Sequence, residues 1–248
     1  NSSILRLVLY YVLRPWYYVY MKWLLRGVPQ LYTGKRLYSK KPSAQSLISS
    51  TLYTKDIKHR DIVSQPVLSL YYVGRFEPIK GISYLIDAVP YIQSSYQLHI
   101  IGFGTPEEVA AIQKQIAASP KKESIHFIGQ VPYGPVLFDA YDTADILIVP
   151  SLQETQGKTY IEAMARGVAI IASDIPGIRR VMTHENNGLL VPPKNPQAIA
   201  LAIDRLHNDI DLHRRIVHDG YSTARQSTIE AMTEQTVAHI HTYLFSSP

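Results

Sequence analysis

Residues 67–104 read VLSLYYVGRFEPIKGISYLIDAVPYIQSSYQLHIIGFG. Two apolar runs rich in β-branched and aromatic residues, 67–74 and 96–104, each end in glycine. Between them Ile82, Leu85, Ile86, Val89 and Ile92 recur at the spacing of one helical face. Strand, helix and strand in this order predict a parallel βαβ unit.

The alternation continues downstream. PEEVAAIQKQIAA (106–118) opens with proline and two acids, which favour a helix start. There follow SIHFIGQ (124–130), a helix through Phe138 and Tyr141, and DILIVPS (145–151). The helix GKTYIEAMARG (157–167) closes on Gly167, and VAIIASD (168–174) and GLLVPP (188–193) are the last strands. NPQAIALAIDRL (195–206) and Ala224–Leu244 read as further helices. The strands are continuous apolar runs, the pattern of a sheet covered by helices on both faces. The predicted fold is therefore α/β, a doubly wound, Rossmann-like parallel sheet. Ligands of such sheets bind beyond the carboxyl ends of the strands, so the informative residues are in the turns that follow them.

Composition bounds the function. A hydrophobic content of 46% with 18% charged residues fits a packed core and excludes a disordered chain. The absence of cysteine excludes disulfides, thiolate metal sites and a cysteine nucleophile. Residues 1–60 hold 11 of the 25 Lys/Arg and one of the 20 Asp/Glu, so the remainder is acidic. That acidic remainder has no basic stripe, which argues against nucleic-acid binding. Residues 4–25 are apolar, with Trp16, Trp23 and many tyrosines, and are interrupted by Arg6, Arg14 and Lys22. Each such charge costs roughly 2.5–3.5 kcal/mol at a bilayer centre. Two readings fit this segment: a buried helix, or peripheral contact with a membrane surface. The polar stretch 39–50 reads as a connection.

Three turns carry candidate chemistry. Gly74 and Arg75 follow the first strand, with Lys80 and Gly81 at the next helix start. Two cations there can clamp a phosphate, although alone they read as well as helix-flanking charges. Gly102 and Gly104 allow close approach of a ligand to the backbone, but GFGTPE fails the dinucleotide fingerprint at its third glycine. After Pro150, Glu154 precedes a helix that begins at Gly157, Lys158 and Thr159 and contains Glu162. The helix start favours an anion. The carboxylates can accept from sugar and ribose hydroxyls, or be a helix-entry acid and a surface residue. Gly157-Lys158-Thr159 is no Walker motif, because Leu152 stands where glycine is required. Asp209-Ile210-Asp211 reads as a helix cap rather than a metal motif. The nine histidines lack ligand spacing, and no metal is predicted.

Taken together, VGRFEPIKG (73–81), the glycine turn at 101–104, FIGQV (127–131), ADILIVPS (144–151), the E-x7-E segment Glu154–Glu162, EAMARGVAIIASDIPG (162–177) and NNGLLVPP (186–193) resemble the C-terminal lobe of glycosyltransferase family 4, the group 1 glycosyl transferases of GT-B fold. The resemblance implies a retaining, metal-independent hexosyltransferase without cofactor that takes its sugar from a UDP- or GDP-linked donor. Arg75, Lys80 and Glu154 would be catalytic. Gly74, Gly102, Val131, Gln156, Gly157, Lys158, Thr159 and Glu162 would bind the donor, with Val131 near the base and Glu162 on the ribose. Gln156 and Lys158 depart from the family's usual Phe-Gly-apolar turn, and Arg179 and Arg180 stand where a Glu is frequent.

The resemblance also implies an organisation. Residues 1–60 would be a remnant of the N-terminal acceptor lobe, with a strand near Val28–Tyr32 and a linker. Residues 61–220 would bind the nucleotide sugar, and 221–248 would form a helix returning to the first lobe. Such a chain is the donor-binding half of an enzyme of polysaccharide or cell-envelope assembly, cytoplasmic or at the cytoplasmic membrane face, with a saccharide or lipid-linked acceptor. Alone it is expected to turn over slowly or not at all. The alternatives are a non-catalytic nucleotide-sugar-binding module and a GT-B-fold epimerase.

Overall fold

Residues 30–33, 44–47, 51–155 and 157–245 are described by the computed structural model of the chain. They fall into two units: Ser49–Met232, and a second that takes in the residues up to Ile48 and from Thr233 on. In the second, strands β1 (Gln30–Thr33) and β2 (Ala44–Leu47) pair in parallel, Gln30 opposite Ala44. β1 overlaps the strand expected near Val28–Tyr32. β2 lies inside the stretch expected to be a connection, so that expectation is corrected for residues 44–47. The basic aromatic segment 4–25 lies outside the described residues.

The larger unit is built on six parallel strands: β3 (Leu68–Arg75), β4 (Tyr96–Phe103), β5 (Ile125–Gly129), β6 (Ile146–Val149), β7 (Ala169–Ser173) and β8 (Leu189–Val191). Their order across the sheet is β5-β4-β3-β6-β7-β8. The chain winds outward from β3 to β5, then returns to the other side of β3 and winds outward again. The crossover between β3 and β6 is the point where such a sheet opens a crevice at its carboxyl edge.

Helices cover both faces. They are α1 (Ile82–Ala88), α2 (Pro106–Ala118), α3 (Pro135–Thr143), α4 (Lys158–Ala165), α5 (Pro196–Asn208) and α6 (Ile210–Gln226); a last helix, α7 (Ile229–Phe245), begins in this unit and runs on into the other. Alternate strand residues divide between two cores, as period-two side chains must. Leu70, Tyr72, Leu98, Ile100, Ile146 and Ile148 pack against α1, α5 and α6. Tyr71, Ile101, Leu147, Val149 and Ile170 pack against α3 and α4. The doubly wound parallel sheet expected from the sequence is present.

Three boundaries differ. The helix expected over 82–92 stops at Ala88 and tightens into a 3-10 turn, Val89–Tyr91, where Pro90 cannot donate to the ladder. The single helix expected over 224–244 is two. Ser227 Oγ donates to Thr223 O and closes α6, while Thr228 Oγ1 accepts from Ala231 N at 3.2 Å and opens α7. The sequence predicts domain limits at 60 and 220, yet residues 51–60 and 221–232 pack within the larger unit. Leu52 is fully buried in its core, and Tyr221 Oη donates to Lys58 O.

Candidate functional site

The carboxyl ends of β3, β4 and β6 open into a cleft of about 450 Å³. Gly74, Arg75, Lys80, Gly102, Val131, Glu154, Gly157, Lys158 and Thr159 all line it. The turns after β3, β4, β5 and β6, distant in sequence, thus meet at one sheet edge. The β3–β4 register places Gly74 opposite Gly102. A Cβ on Gly102 would lie 1.8 Å from Gly74 O, so only glycine lets these strand ends approach and leaves bare backbone as the cleft floor.

Lys80 ends a 3-10 turn, Pro78–Lys80, that is tied to the loop after β6 by Leu152 N donating to Ile79 O at 2.8 Å. This tie brings Lys80 Nζ to 2.6 Å from Glu154 Oε1. The same oxygen accepts from Ser151 Oγ at 2.8 Å. Arg75 pairs with the Glu77 carboxylate. Tyr72 Oη donates to Arg75 O at 2.6 Å. Burial, with Glu154 and Glu77 nearby, pushes the Tyr72 hydroxyl well up, so it stays a protonated donor. In the same cleft α4 begins after its N-cap Gly157, and the amides of its first turn have no partner within the helix. Cations and a helix N-terminus lining one cleft suit an anion there. The Gly177 turn fixes Glu154 from behind, since a Cβ there would lie 2.0 Å from Glu154 O.

Glu162 does not line the cleft. It sits one helical turn beyond Lys158 and is 4% exposed, which rules out the surface reading. Thr51 Oγ1 donates to Glu162 Oε1 at 2.8 Å, and Tyr141 Oη reaches Oε2 at 3.5 Å. Burial raises the Glu162 carboxyl above its ordinary range, partly offset by Thr51, Lys158 and Tyr141. Tyr133, which does line the cleft, donates to Thr51 O at 3.1 Å, so Thr51 links cleft wall and buried carboxylate. Gln156 lies outside the described residues.

Tyr72, Ser151, Tyr133 and Thr51 are functional candidates that the sequence did not single out. Ser151 had a signal, three residues before Glu154. Thr51 had none, because its partner lies 111 residues away. Asp209 caps α6 by accepting from Leu212 N at 2.9 Å, as expected of a helix cap. Arg179 is held by Asp174 on the surface. Among the described residues no group of three His, Asp or Glu could hold a metal, and no helix is long and apolar enough to cross a membrane.

A doubly wound parallel sheet with a cation-lined crevice and a helix N-terminus at its switch point is the arrangement of a GT-B glycosyltransferase lobe. The chain belongs to the family "Glycosyl transferases group 1", whose profile matches residues 68–209. An uncharacterized glycosyltransferase of Methanocaldococcus jannaschii is 32% identical over 150 residues, 60% of this chain and 38% of that one. The phosphatidyl-myo-inositol mannosyltransferase of Mycobacterium tuberculosis is 34% identical over 168 residues, 64% of this chain and 43% of that one. The chain therefore spans less than half the length of these relatives. Among solved structures, the sucrose-phosphate synthase of Thermosynechococcus elongatus superposes with a TM-score of 0.75 at 25% identity, over 93% of this chain and 62% of that one. Anabaena HepE, solved in complex with UDP, superposes at 0.67 and 18% identity, over 81% of this chain and 58% of that one, a likeness of fold.

Proposed function

We propose that the cleft binds the nucleotide diphosphate end of a sugar donor, and that the chain supplies the donor half of a retaining, metal-independent glycosyltransferase. The observation that carries this is the convergence of Lys80, Glu154 and Ser151 in front of the α4 N-terminus. Breaking a sugar–phosphate bond builds negative charge on the departing diphosphate. Arg75, Lys80 and the α4 amides are fixed before the reaction and need little reorganisation to stabilise that charge. Glu154 holds Lys80 in place and offers its second oxygen to a sugar hydroxyl. The backbone near Val131 faces the base.

Glu162 is the ribose ligand in this reading. Its carboxylate can accept about four hydrogen bonds, and Thr51 and Tyr141 take only part of that capacity. The mannosyltransferase relatives, named for a phosphatidyl-inositol acceptor, favour a lipid-linked acceptor at the cytoplasmic membrane face in cell-envelope assembly. The acceptor itself would engage residues beyond this cleft, and slow or absent turnover by this chain alone is part of the proposal.

Calorimetric titration of the chain with UDP, GDP and ADP tests the site and names the base. Arg75→Ala is expected to weaken the diphosphate and leave the nucleoside unchanged, while Glu162→Gln weakens both. Unchanged affinities in the two variants would overturn the assignment.

A further inference from the structure

A second cleft, of about 720 Å³, lies at the opposite edge of the same sheet. Its position follows from Arg60, which lines it. The Arg60 guanidinium donates to the carbonyls of Asp142 (2.9 Å), Ala144 and Gly167 (3.0 Å). These residues immediately precede β6 and β7, so they mark the amino edge of a parallel sheet whose carboxyl edge holds the donor cleft. At about 3.3 Å per residue, strands of four to eight residues separate the two by roughly 13–26 Å.

The cleft is cationic by construction. Arg60, Arg214 and Arg225 line it together with His59 and His218, and Asp61 is the only carboxylate in the lining. Arg60 is largely buried and its partners are neutral carbonyls. No carboxylate lies within ion-pair distance of it among the described residues, and Asp145 and Asp142 offset part of its charge from farther off. Arg225 donates to His59 Nε2 at 2.9 Å, while Arg214 donates from Nε to Ile62 O at 3.0 Å and from Nη1 to Asp211 Oδ1 at 3.5 Å. Both guanidiniums are thereby oriented while keeping further N–H groups to give.

The scaffold beneath is tight. Tyr221 Oη accepts from Arg60 N and donates to Lys58 O, and its ring lies 4.2 Å from that of His59. A Cβ on Gly167 would meet Tyr221 Oη at 2.3 Å and Arg60 Cγ at 2.9 Å, so the glycine permits this packing. Ile62 and Val217 give the cleft an apolar wall. Three guanidiniums held in one concave lining are chemistry that recognises phosphate.

We propose that this amino-edge cleft is a second, phosphate-binding site, independent of the donor site. Its ligand is a phosphate group carried by a soluble molecule or by a lipid head. The proposal does not rest on the donor-site reading, and either can fail alone.

The test is titration of the ¹⁵N-labelled full chain with inorganic phosphate, with shifts followed at Arg214, His218 and Arg225 and separately at Gly74 and Gly102. The first set is expected to shift saturably. In Arg214→Gln/Arg225→Gln the affinity read from His218 falls about tenfold or more, with the Gly74 and Gly102 response unchanged. That unchanged response also shows that the variant is folded. Flotation with vesicles of phosphatidylcholine containing phosphatidylserine separates the sources: retention lost in the variant identifies a lipid head, and shifts without retention identify a soluble phosphate. No shift in the first set, or the same affinity in the variant, overturns the site.

Discussion

Lys80 Nζ and Glu154 Oε1 lie 2.6 Å apart across 74 residues of sequence, joining the turn after β3 to the loop after β6. The pair is partly buried, with side chains 21% and 11% exposed. It therefore fixes a cation in the lining of the cleft rather than decorating the surface. Lys80→Ala removes one charge-assisted bond to a bound diphosphate, worth roughly 1.5–3 kcal/mol. UDP affinity is expected to fall ten- to hundredfold while uridine affinity stays constant, as measured by calorimetry. An equal loss for uridine would mean that the lysine shapes the whole cleft.

The glycines permit a sharper contrast. Gly102→Ala puts a methyl group against Gly74 O, between two paired strands at the sheet's centre. Overpacking of this kind costs roughly 1–3 kcal/mol, readable as a lower urea midpoint. Gly177→Ala puts its methyl group against Glu154 O, in a loop. It should move Glu154 and weaken UDP binding with less loss of stability. Comparable stability losses in both variants would contradict this division.

How far the chain was legible depends on distance along it. The six strands of the larger unit and the turns after them follow from local period and composition, and the cleft follows from strand order, because parallel strands bring their carboxyl ends to one edge. Break points were harder. Ser227-Thr228 interrupts what reads as one helix, since hydroxyl caps compete with a helical pattern that continues on both sides. The Thr51–Glu162 bond was not legible at all, and with it went the burial of Glu162. No local feature of a glutamate in an amphipathic helix tells whether a remote segment covers it. Residues 51–60 fall within the expected first-lobe remnant and linker, yet Leu52 and Arg60 anchor them to the larger unit.

Asp142 is the hub of one such anchor. Arg166 donates to both of its oxygens at 2.6 Å, and Lys58 adds a third bond at 2.6 Å. Burial alone would raise this carboxyl, but the two cations overcome it and hold it below the usual carboxylate range. A depressed folded pKa gives stability that is present above the unfolded value, about 3.9, and is lost as pH falls through the folded value. Asp142→Asn should therefore destabilise the chain at pH 7 by up to roughly 3 kcal/mol. The gap between variant and wild type should close below about pH 4. Chemical denaturation at the two pH values reads this directly, and a gap that persists in acid would assign the loss to packing.

Glu162 carries the opposite sign. Its carboxyl is raised by burial, with Thr51, Lys158 and Tyr141 offsetting only part of the cost. A raised folded pKa gives stability that is complete below the unfolded value, about 4.3, and is lost as pH rises through the folded one. Burying the charged form is thus a net burden on the fold, felt increasingly as pH rises above the unfolded value. Glu162→Gln keeps an oxygen to accept from Thr51 and removes the buried charge. The variant should melt higher than wild type at pH 7, and the difference should shrink toward pH 4. The same substitution should weaken UDP binding, because an amide accepts from ribose hydroxyls less strongly than a carboxylate. A residue that costs stability and returns affinity marks a site kept for its ligand. A lower melting temperature for Glu162→Gln at pH 7 would show that the bonds of the charged form outweigh its desolvation, and would make Glu162 a structural residue of the Thr51 contact instead.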